Sequence, residues 1–273
     1  MKKKKVALVL GGGGALGFAH IGVLDILQKN NVPIDCIVGT SMGAVVGAGF
    51  AAGKSVSELT ELSTSMKMSK MYDFNINFKG LLSGSRITKL LKPVYKYENI
   101  EDLPMKFVCN AVDLLTCTTH VFKSGNLITA VRSSMSVPAV FTPVKYQGMT
   151  LVDGGVLDNM ACDIAKNMGY DVIIAVDVIS KSIFDENVNS LFGSVAQSLL
   201  IMQQQIQKLQ TPNEPCDVII TPDLKDHKQY VFHKESTEDI IEKGRLATID
   251  AMPQILKALS KNGIKLKQTK KHE

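Results

Sequence analysis

Short apolar segments alternate along this chain with longer stretches of helical spacing. Several of the short segments are nearly continuous in Val, Ile, Leu and Ala, as strands buried on both faces of a parallel sheet are. We predict seven strands: Val6–Leu10, Ile34–Val38, Phe107–Val112, His120–Phe122, Thr150–Val152, Val172–Val178 and Val218–Thr221. The predicted helices are His20–Lys29, Met42–Ala52, Val56–Lys67, Asn126–Met135, Cys162–Met168, Leu191–Leu209 and Glu238–Ser260. This alternation predicts an α/β fold, a three-layer α/β/α sandwich around a largely parallel central sheet.

Nothing along the chain resembles an interdomain linker, so we predict a single domain over residues 1–273. Its motif-bearing core covers about 5–180, and 181–273 supplies a helical remainder that includes a lid. Residues 65–105 and 180–235 fit the alternation poorly, which is typical of loops that cover a site.

The helix predicted at 192–209 has a regular apolar seam. Its members recur at alternating spacings of three and four, with Gln203 to Gln205 and Gln207 on the other side; they are Phe192, Val195, Leu199, Met202, Ile206 and Leu209. Packing of this seam on the protein's own sheet is the favoured interpretation. A homo-oligomer through the 192–209 helix and an interfacial membrane contact stay open as alternatives, although the helix has few basic residues.

Charge and cysteine content exclude several classes of protein. The chain has 31 Lys plus Arg and 26 Asp plus Glu, a net charge of +5 that is too weak to indicate nucleic-acid binding. The excess lies near the two ends, which leaves weak peripheral contact with an anionic membrane open. The five Cys show no zinc spacing, so we expect free thiols, no metal, no cofactor and a cytoplasmic location. Four glycines interrupt the apolar start too early for a signal peptide.

A glycine-rich turn follows the first predicted strand. Gly11 to Gly14 and Gly17 lie between this strand and a helix, so their N–H groups can approach an anion closely. Such a turn serves either as the pyrophosphate cradle of a dinucleotide fold or as an oxyanion hole. A dinucleotide fold needs an acidic residue at the end of the second strand, whereas Asp35 precedes the apolar core of that strand.

A G-x-S-x-G sequence occupies that strand end instead. Gly39-Thr40-Ser41-Met42-Gly43 lies between a strand and a helix, the setting of a nucleophile elbow. Gly39 and Gly43 clear space at the turn, so the Ser41 hydroxyl projects beside a helix N-terminus. We therefore predict Ser41 as a nucleophile.

A serine nucleophile needs a base, and the histidines are poor candidates. His20 is the only one near the glycine-rich turn, and its position favours packing beneath that turn. Asp153 ends a short strand and is followed by Gly154 and Gly155, so its carboxylate can enter the same cleft. A carboxylate is ionised at neutral pH and can accept the Ser41 proton directly.

Taken together, these motifs resemble the patatin-like phospholipase family, particularly its small bacterial members. The resemblance rests on GGGGALGFAHIGVL, GTSMG and DGGVLDN in this order, and on the Arg132–Pro143 segment, over roughly residues 5–180. It implies a three-layer α/β/α fold and a Ser–Asp dyad of Ser41 and Asp153 without a catalytic His. The family's oxyanion hole maps to Gly12, Gly13 and Gly14. The family usually has Arg or Lys where this chain has Leu16.

The resemblance implies a serine acyl hydrolase that cleaves lipid carboxylic esters, of the phospholipase A or lysophospholipase type, through an acyl-enzyme. The expected partner is a lipid or acyl-ester substrate. Three alternatives stay open: a thioesterase or small-ester carboxylesterase with the same dyad, a nucleotide-binding protein, and a catalytically silent regulatory module.

Overall fold

A computed structural model describes residues 3–65, 82, 84–181, 188–210 and 215–266. The described residues form one eight-stranded sheet in the order β5-β6-β3-β2-β1-β7-β8, with β4 also paired to β3. The strands are β1 Val6–Leu10, β2 Cys36–Gly39, β3 Lys106–Asp113, β4 Thr118–Phe122, β5 Val144–Tyr146, β6 Met149–Asp153, β7 Val172–Val176 and β8 Val218–Ile220. The five strands β1, β2, β3, β7 and β8 are parallel, and β4, β5 and β6 run antiparallel to their neighbours.

Eight α-helices connect and cover these strands within the described residues. They are α1 Ala19–Lys29, α2 Met42–Ala51, α3 Val56–Thr64, α4 Ser85–Tyr95, α5 Leu127–Ser134, α6 Cys162–Asn167, α7 Leu191–Gln210 and α8 Lys234–Lys261. The α3 helix begins in a capping box, where Ser55 and Glu58 exchange hydrogen bonds with each other's backbone. None of the described helices combines the length and the apolarity that crossing a bilayer requires.

Alternation along the strands divides the core between the two faces of the sheet. On β1, Val6, Leu8 and Leu10 face the larger core, which α1, α2, α5 and α8 cover. Ala7 and Val9 face a smaller core, which is closed mainly by α6. The predicted three-layer α/β/α sandwich with a largely parallel sheet is therefore confirmed, with layers of unequal thickness.

Two elements were missed and one expectation about the cysteines is wrong. The α4 helix lies in the stretch predicted as loop, and β5 is only three residues long. Cys162 at the start of α6 and Cys216 just before β8 form a disulfide instead of remaining free thiols. The pairing was invisible in the sequence because 54 positions separate the two residues, which come together only where α6 packs on β7 and β7 pairs with β8.

The orientation of α7 also corrects the sequence analysis. Met202 and Leu209 of the predicted seam are 52% and 75% exposed, whereas Gln207 is buried. Gln204 donates to the Ile179 carbonyl at 2.8 Å, and Gln210 donates to the Leu157 carbonyl at 3.3 Å. The helix therefore covers backbone carbonyl groups at the carboxyl edge of the sheet. These groups need hydrogen-bond donors, so amide side chains pack inward where apolar ones were expected.

Candidate active site

Ser41 lies on a sharp turn between β2 and α2. Its backbone is left-handed (φ 54°, ψ −121°), which a residue other than glycine rarely adopts. Two contacts hold it there: the Ser41 N–H donates to Ser134 Oγ at 2.9 Å, and the preceding Thr40 donates to Asn110 Oδ1 at 2.8 Å. A Cβ on Gly43 would collide with the Leu10 carbonyl, so the elbow requires glycine at this position. The turn thus places the Ser41 side chain at the carboxyl edge of the sheet.

Asp153 reaches the same place from an antiparallel strand. The pairing of β3 with β2 ends at Cys109 opposite Gly39, and β3 then continues to Asp113. The β6 strand pairs with this overhang, so that Asp153 stands opposite Ala111, two residues beyond the last β2 pair. This register brings the carboxyl end of β6 back beside Ser41. Ser41 and Asp153 line one small cavity of about 20 Å³, which is room for one water molecule.

The Asp153 carboxyl is nearly dry and only partly satisfied. It is 2% exposed, and its Oδ1 accepts the Gly155 N–H at 2.8 Å. Burial raises the pKa of Asp153 to about 6, while the nearby Ser41 hydroxyl and the Gly155 N–H act in the opposite direction. Its Oδ2 completes no hydrogen bond within the described part of the chain. This oxygen is therefore suited to accept a proton from the adjacent serine.

Gly12 and Gly13 of the glycine-rich turn line the same cavity. Gly12 is already engaged, because its N–H donates to the Asn159 carbonyl at 3.4 Å. The Gly13 and Gly14 N–H groups form no backbone hydrogen bond with the described residues, and Gly13 lines the cavity that holds Ser41 and Asp153. Gly14 has a φ of 55°, and a Cβ there would strike the Gln229 carbonyl. Of the three predicted oxyanion donors, Gly13 and Gly14 are thus the two whose N–H groups are not engaged by the backbone of the described residues.

Two buried side chains fix this turn from below. His20 Nε2 lies 2.7 Å from the Gly11 carbonyl and donates to it, since a carbonyl only accepts. Burial lowers the pKa of His20 to about 4, so the ring is neutral at physiological pH. Asn159 donates from Nδ2 to the Gly12 carbonyl at 3.2 Å and to Gln207 Oε1 at 3.1 Å. His20 is therefore a support of the turn, as its position in the sequence indicated.

An apolar pocket, which we call the proximal pocket, opens on the other side of Ser41 from the small cavity. It has a volume of about 60 Å³. Its lining is almost entirely apolar and includes Met42, Val45, Met135, Val140, Phe141 and Phe232. An apolar pocket at a nucleophilic serine suits a hydrocarbon substituent of the substrate.

The other predicted residues take supporting positions. Gly17 packs against Met42, Gly39 lies close to Ala44, and a Cβ on Gly154 would strike Asn110. Gly155 approaches Asn159 and Gln203, and it is the N–H donor to Asp153. Leu16 is fully buried in the larger core, so this position does not face a headgroup. The charged residue usual in the family would have to be buried here.

Sequence reasoning missed the residues that hold the elbow and the turn. Ser134 and Asn159 lie inside segments that carry the family resemblance. Asn110 and Gln207 gave no signal except that each is a polar residue in an apolar strand or on a helix face. His120 packs against Phe122 and Tyr146, and His227 bonds Ser236 and Asp239. No histidine among the described residues lines the cavity that holds Ser41 and Asp153.

Comparisons with known proteins identify the family of the chain. The family model for Patatin-like phospholipase matches residues 8–166. The chain is 32% identical over 219 residues to Lysophospholipase NTE1 of Pyricularia oryzae, covering 78% of this chain and 14% of that protein. It is 36% identical over 215 residues to mouse Patatin-like phospholipase domain-containing protein 7, covering 76% of this chain and 16% of that protein. The chain thus spans about a seventh of the length of these relatives.

Solved structures show the same fold at low sequence identity. VipD from Legionella pneumophila superposes with a TM-score of 0.63 at 14% identity, covering 94% of this chain and 67% of that one. The type III effector protein ExoU superposes with a TM-score of 0.51 at 12% identity, covering 94% of this chain and 53% of that one.

Proposed function

Because the chain belongs to the patatin-like phospholipase family, we propose that it is a serine acyl hydrolase that cleaves carboxylic esters of lipids, of the phospholipase A or lysophospholipase type. The observation that carries this proposal is the position of Ser41. It lies in a strained elbow between a buried carboxyl with one unbonded oxygen and an apolar pocket. The names of the relatives support a lipid ester as the substrate class.

Acylation begins when Ser41 Oγ attacks the ester carbonyl carbon and its proton passes to Asp153 Oδ2. Negative charge develops on the carbonyl oxygen, and the Gly13 and Gly14 N–H groups stabilise it. One such donor is commonly worth about 3 to 4 kcal/mol in the transition state. The tetrahedral intermediate then expels the alcohol, which takes the proton from Asp153. The products of this half-reaction are the free alcohol or lysolipid and an ester of the acyl group with Ser41.

Deacylation repeats these steps with water. The cavity at Ser41 and Asp153 has room for one water molecule, which the adjacent carboxylate would deprotonate. Hydroxide adds to the acyl carbonyl, the intermediate collapses, and Ser41 regains its proton from Asp153 as the fatty acid leaves.

The proximal pocket favours a substrate with a lipid acyl group rather than a small polar ester. Each methylene buried against its apolar lining would make binding more favourable by roughly 0.8 kcal/mol. Peripheral membrane contact, a cytoplasmic location and a homo-oligomer through the 192–209 helix stay predictions.

Labelling with a fluorophosphonate probe, measured by intact mass in the presence of detergent, tests the nucleophile. We expect one adduct on the wild type and none on Ser41→Ala. Ser133→Ala is the matched control, because Ser133 is also buried but its hydroxyl donates to the Thr129 carbonyl on α5. An adduct on Ser41→Ala, or no adduct on the wild type, would refute Ser41 as an activated nucleophile. If the wild type takes the label, its rates of hydrolysis of phospholipids, lysophospholipids and acyl thioesters then distinguish an esterase from a thioesterase.

A further inference from the structure

A second apolar pocket, the distal pocket, lies behind α2 on the side of α3 and α4. It has a volume of about 180 Å³, three times that of the proximal pocket. Its apolar lining includes Val46, Leu59, Leu62, Leu90, Leu91 and Val94. None of the residues used in the proposed chemistry lines it.

The polar side chains that line the distal pocket are already satisfied. Ser63 Oγ donates to the Thr60 carbonyl at 2.9 Å, and Ser65 Oγ donates to the Leu62 carbonyl at 3.1 Å. The Tyr95 hydroxyl donates to the Val45 carbonyl at 3.3 Å. No charged side chain is present among the described residues of the lining. A ligand of this pocket is therefore recognised by burial of hydrocarbon alone.

Only a thin wall separates the two pockets. Val45 is half-buried and lines both of them. Beside it, the rings of Phe18 and Phe232 meet edge to face with centroids 5.9 Å apart, Phe18 on the distal side and Phe232 on the proximal side. Val45 lies one turn of α2 from Ser41, about 6 Å along the helix axis.

We propose that the distal pocket is a second acyl subsite and that Val45 with the Phe18–Phe232 pair is the gate into it. The acyl chain of a substrate esterified at Ser41 runs along α2, passes Val45 and places its methyl end in the distal pocket. The identity of the ligand as an acyl chain rests on the proposed function. An apolar cavity of about 150 Å³ is enough to bind benzene, so the distal pocket has room for several methylenes. Each methylene that it buries raises binding about fourfold.

The absence of tryptophan from the sequence provides a direct probe of this path. Leu90→Trp places a single tryptophan at the partly exposed rim of the distal pocket, and Ser41→Ala in the same chain removes the chemistry. The ligands are palmitic acid brominated at its methyl end and palmitic acid brominated on the carbon next to the carboxyl. We expect the first to quench the emission and the second to quench it several-fold less. Equal quenching by both, or none, would overturn the proposal.

Two further variants keep this measurement decisive. Leu62→Trp on the opposite wall replaces Leu90→Trp if that variant does not fold. Leu246→Trp is the control, because Leu246 lies on α8, is 49% exposed and lines neither pocket. Quenching of the Leu246→Trp protein by both acids to the same extent as Leu90→Trp would show nonspecific adsorption and refute the subsite.

Chain-length selectivity tests the gate. We expect Val45→Ala to raise the ratio of kcat/KM for p-nitrophenyl palmitate over butyrate at least fourfold, and Val45→Phe to lower it. Val121→Ala, a half-buried valine of β4 outside both pockets, is the matched control. An unchanged ratio in both Val45 variants would overturn the gate. If no ester is hydrolysed and Ser41 takes no label, the proposed function fails, whereas the quenching experiment still decides the subsite.

Discussion

Replacement of Asp153 by Asn should stabilise the folded protein near neutral pH while it abolishes turnover. The carboxyl is buried, and its Oδ2 completes no hydrogen bond within the described residues. Burial raises its pKa from 3.8 to about 6. The folded protein therefore carries an under-solvated negative charge at neutral pH, which an amide of the same shape would not carry.

The sign and size of the effect follow from the two pKa values. The folded state holds the Asp153 proton more tightly than the unfolded chain does. The protonated carboxyl therefore stabilises the folded wild-type protein. This stabilisation is fully present below about pH 4 and is lost as the pH rises through about 6. A shift of about two pKa units corresponds to roughly 3 kcal/mol, which is an upper bound because the Asn amide also needs a partner. The melting temperature should rise by several degrees in a protein of this size.

Thermal melts of wild type and Asp153→Asn at neutral pH and near pH 4 measure this difference. The variant should melt higher at neutral pH, and the gap should close in acid. Asp113→Asn is the control, because hydrogen bonds lower the pKa of Asp113, in contrast to Asp153. The largest of these effects comes from the Thr150 N–H. That control should melt lower than wild type at neutral pH. If Asp153→Asn melts below wild type at neutral pH, or the gap persists in acid, the carboxylate does not carry the burial cost assigned to it.

Three other measurements test the site and the fold. The kcat/KM for a lipid ester should fall about tenfold per pH unit below about pH 6, since Asp153 must be ionised to act as a base; a flat profile down to pH 4 would contradict this. Asn159→Ala should lower kcat by about 100-fold with a small change in KM, because the Gly12 carbonyl loses its clamp; a change confined to KM would argue against positioning. Reduction of Cys162–Cys216 should lower the free energy of unfolding by up to about 4 kcal/mol, as measured by urea titration with and without dithiothreitol, and Cys162→Ser should show no further loss on reduction.

The elements that sequence patterns predicted best are the ones buried on both sides. The strands β1 and β7 and the helix α2 have near-continuous apolar sequences, so burial leaves a strong signal. The elbow was predictable because a strand, a turn and a helix must meet where two glycines flank Ser41. The α4 helix was missed although Ile87, Leu91 and Tyr95 recur every fourth residue, because it lies in the 65–105 stretch that fits the strand–helix alternation poorly.

What could not be predicted depends on pairing between distant segments. Nothing in Thr150–Gly155 indicates that β6 is antiparallel, or that it pairs with the overhang of β3 and so returns Asp153 to Ser41. The inward face of α7 was misjudged because spacing reports which residues share a face, whereas the polarity of the surface beneath decides which face packs. The engaged Gly12 N–H depends on the carbonyl of Asn159, almost 150 residues away.

The disulfide also determines what a single cut in the chain would do. The loop between Cys162 and Cys216 contains all of β7 and α7, while Ser41 and Asp153 both precede it. A protease that cleaves the backbone anywhere inside this loop leaves two fragments that remain covalently joined. The catalytic candidates would stay on one fragment and α8 on the other, tethered beside the glycine-rich turn. Such a nicked molecule would migrate as one species on a denaturing gel until a reductant separates its two parts.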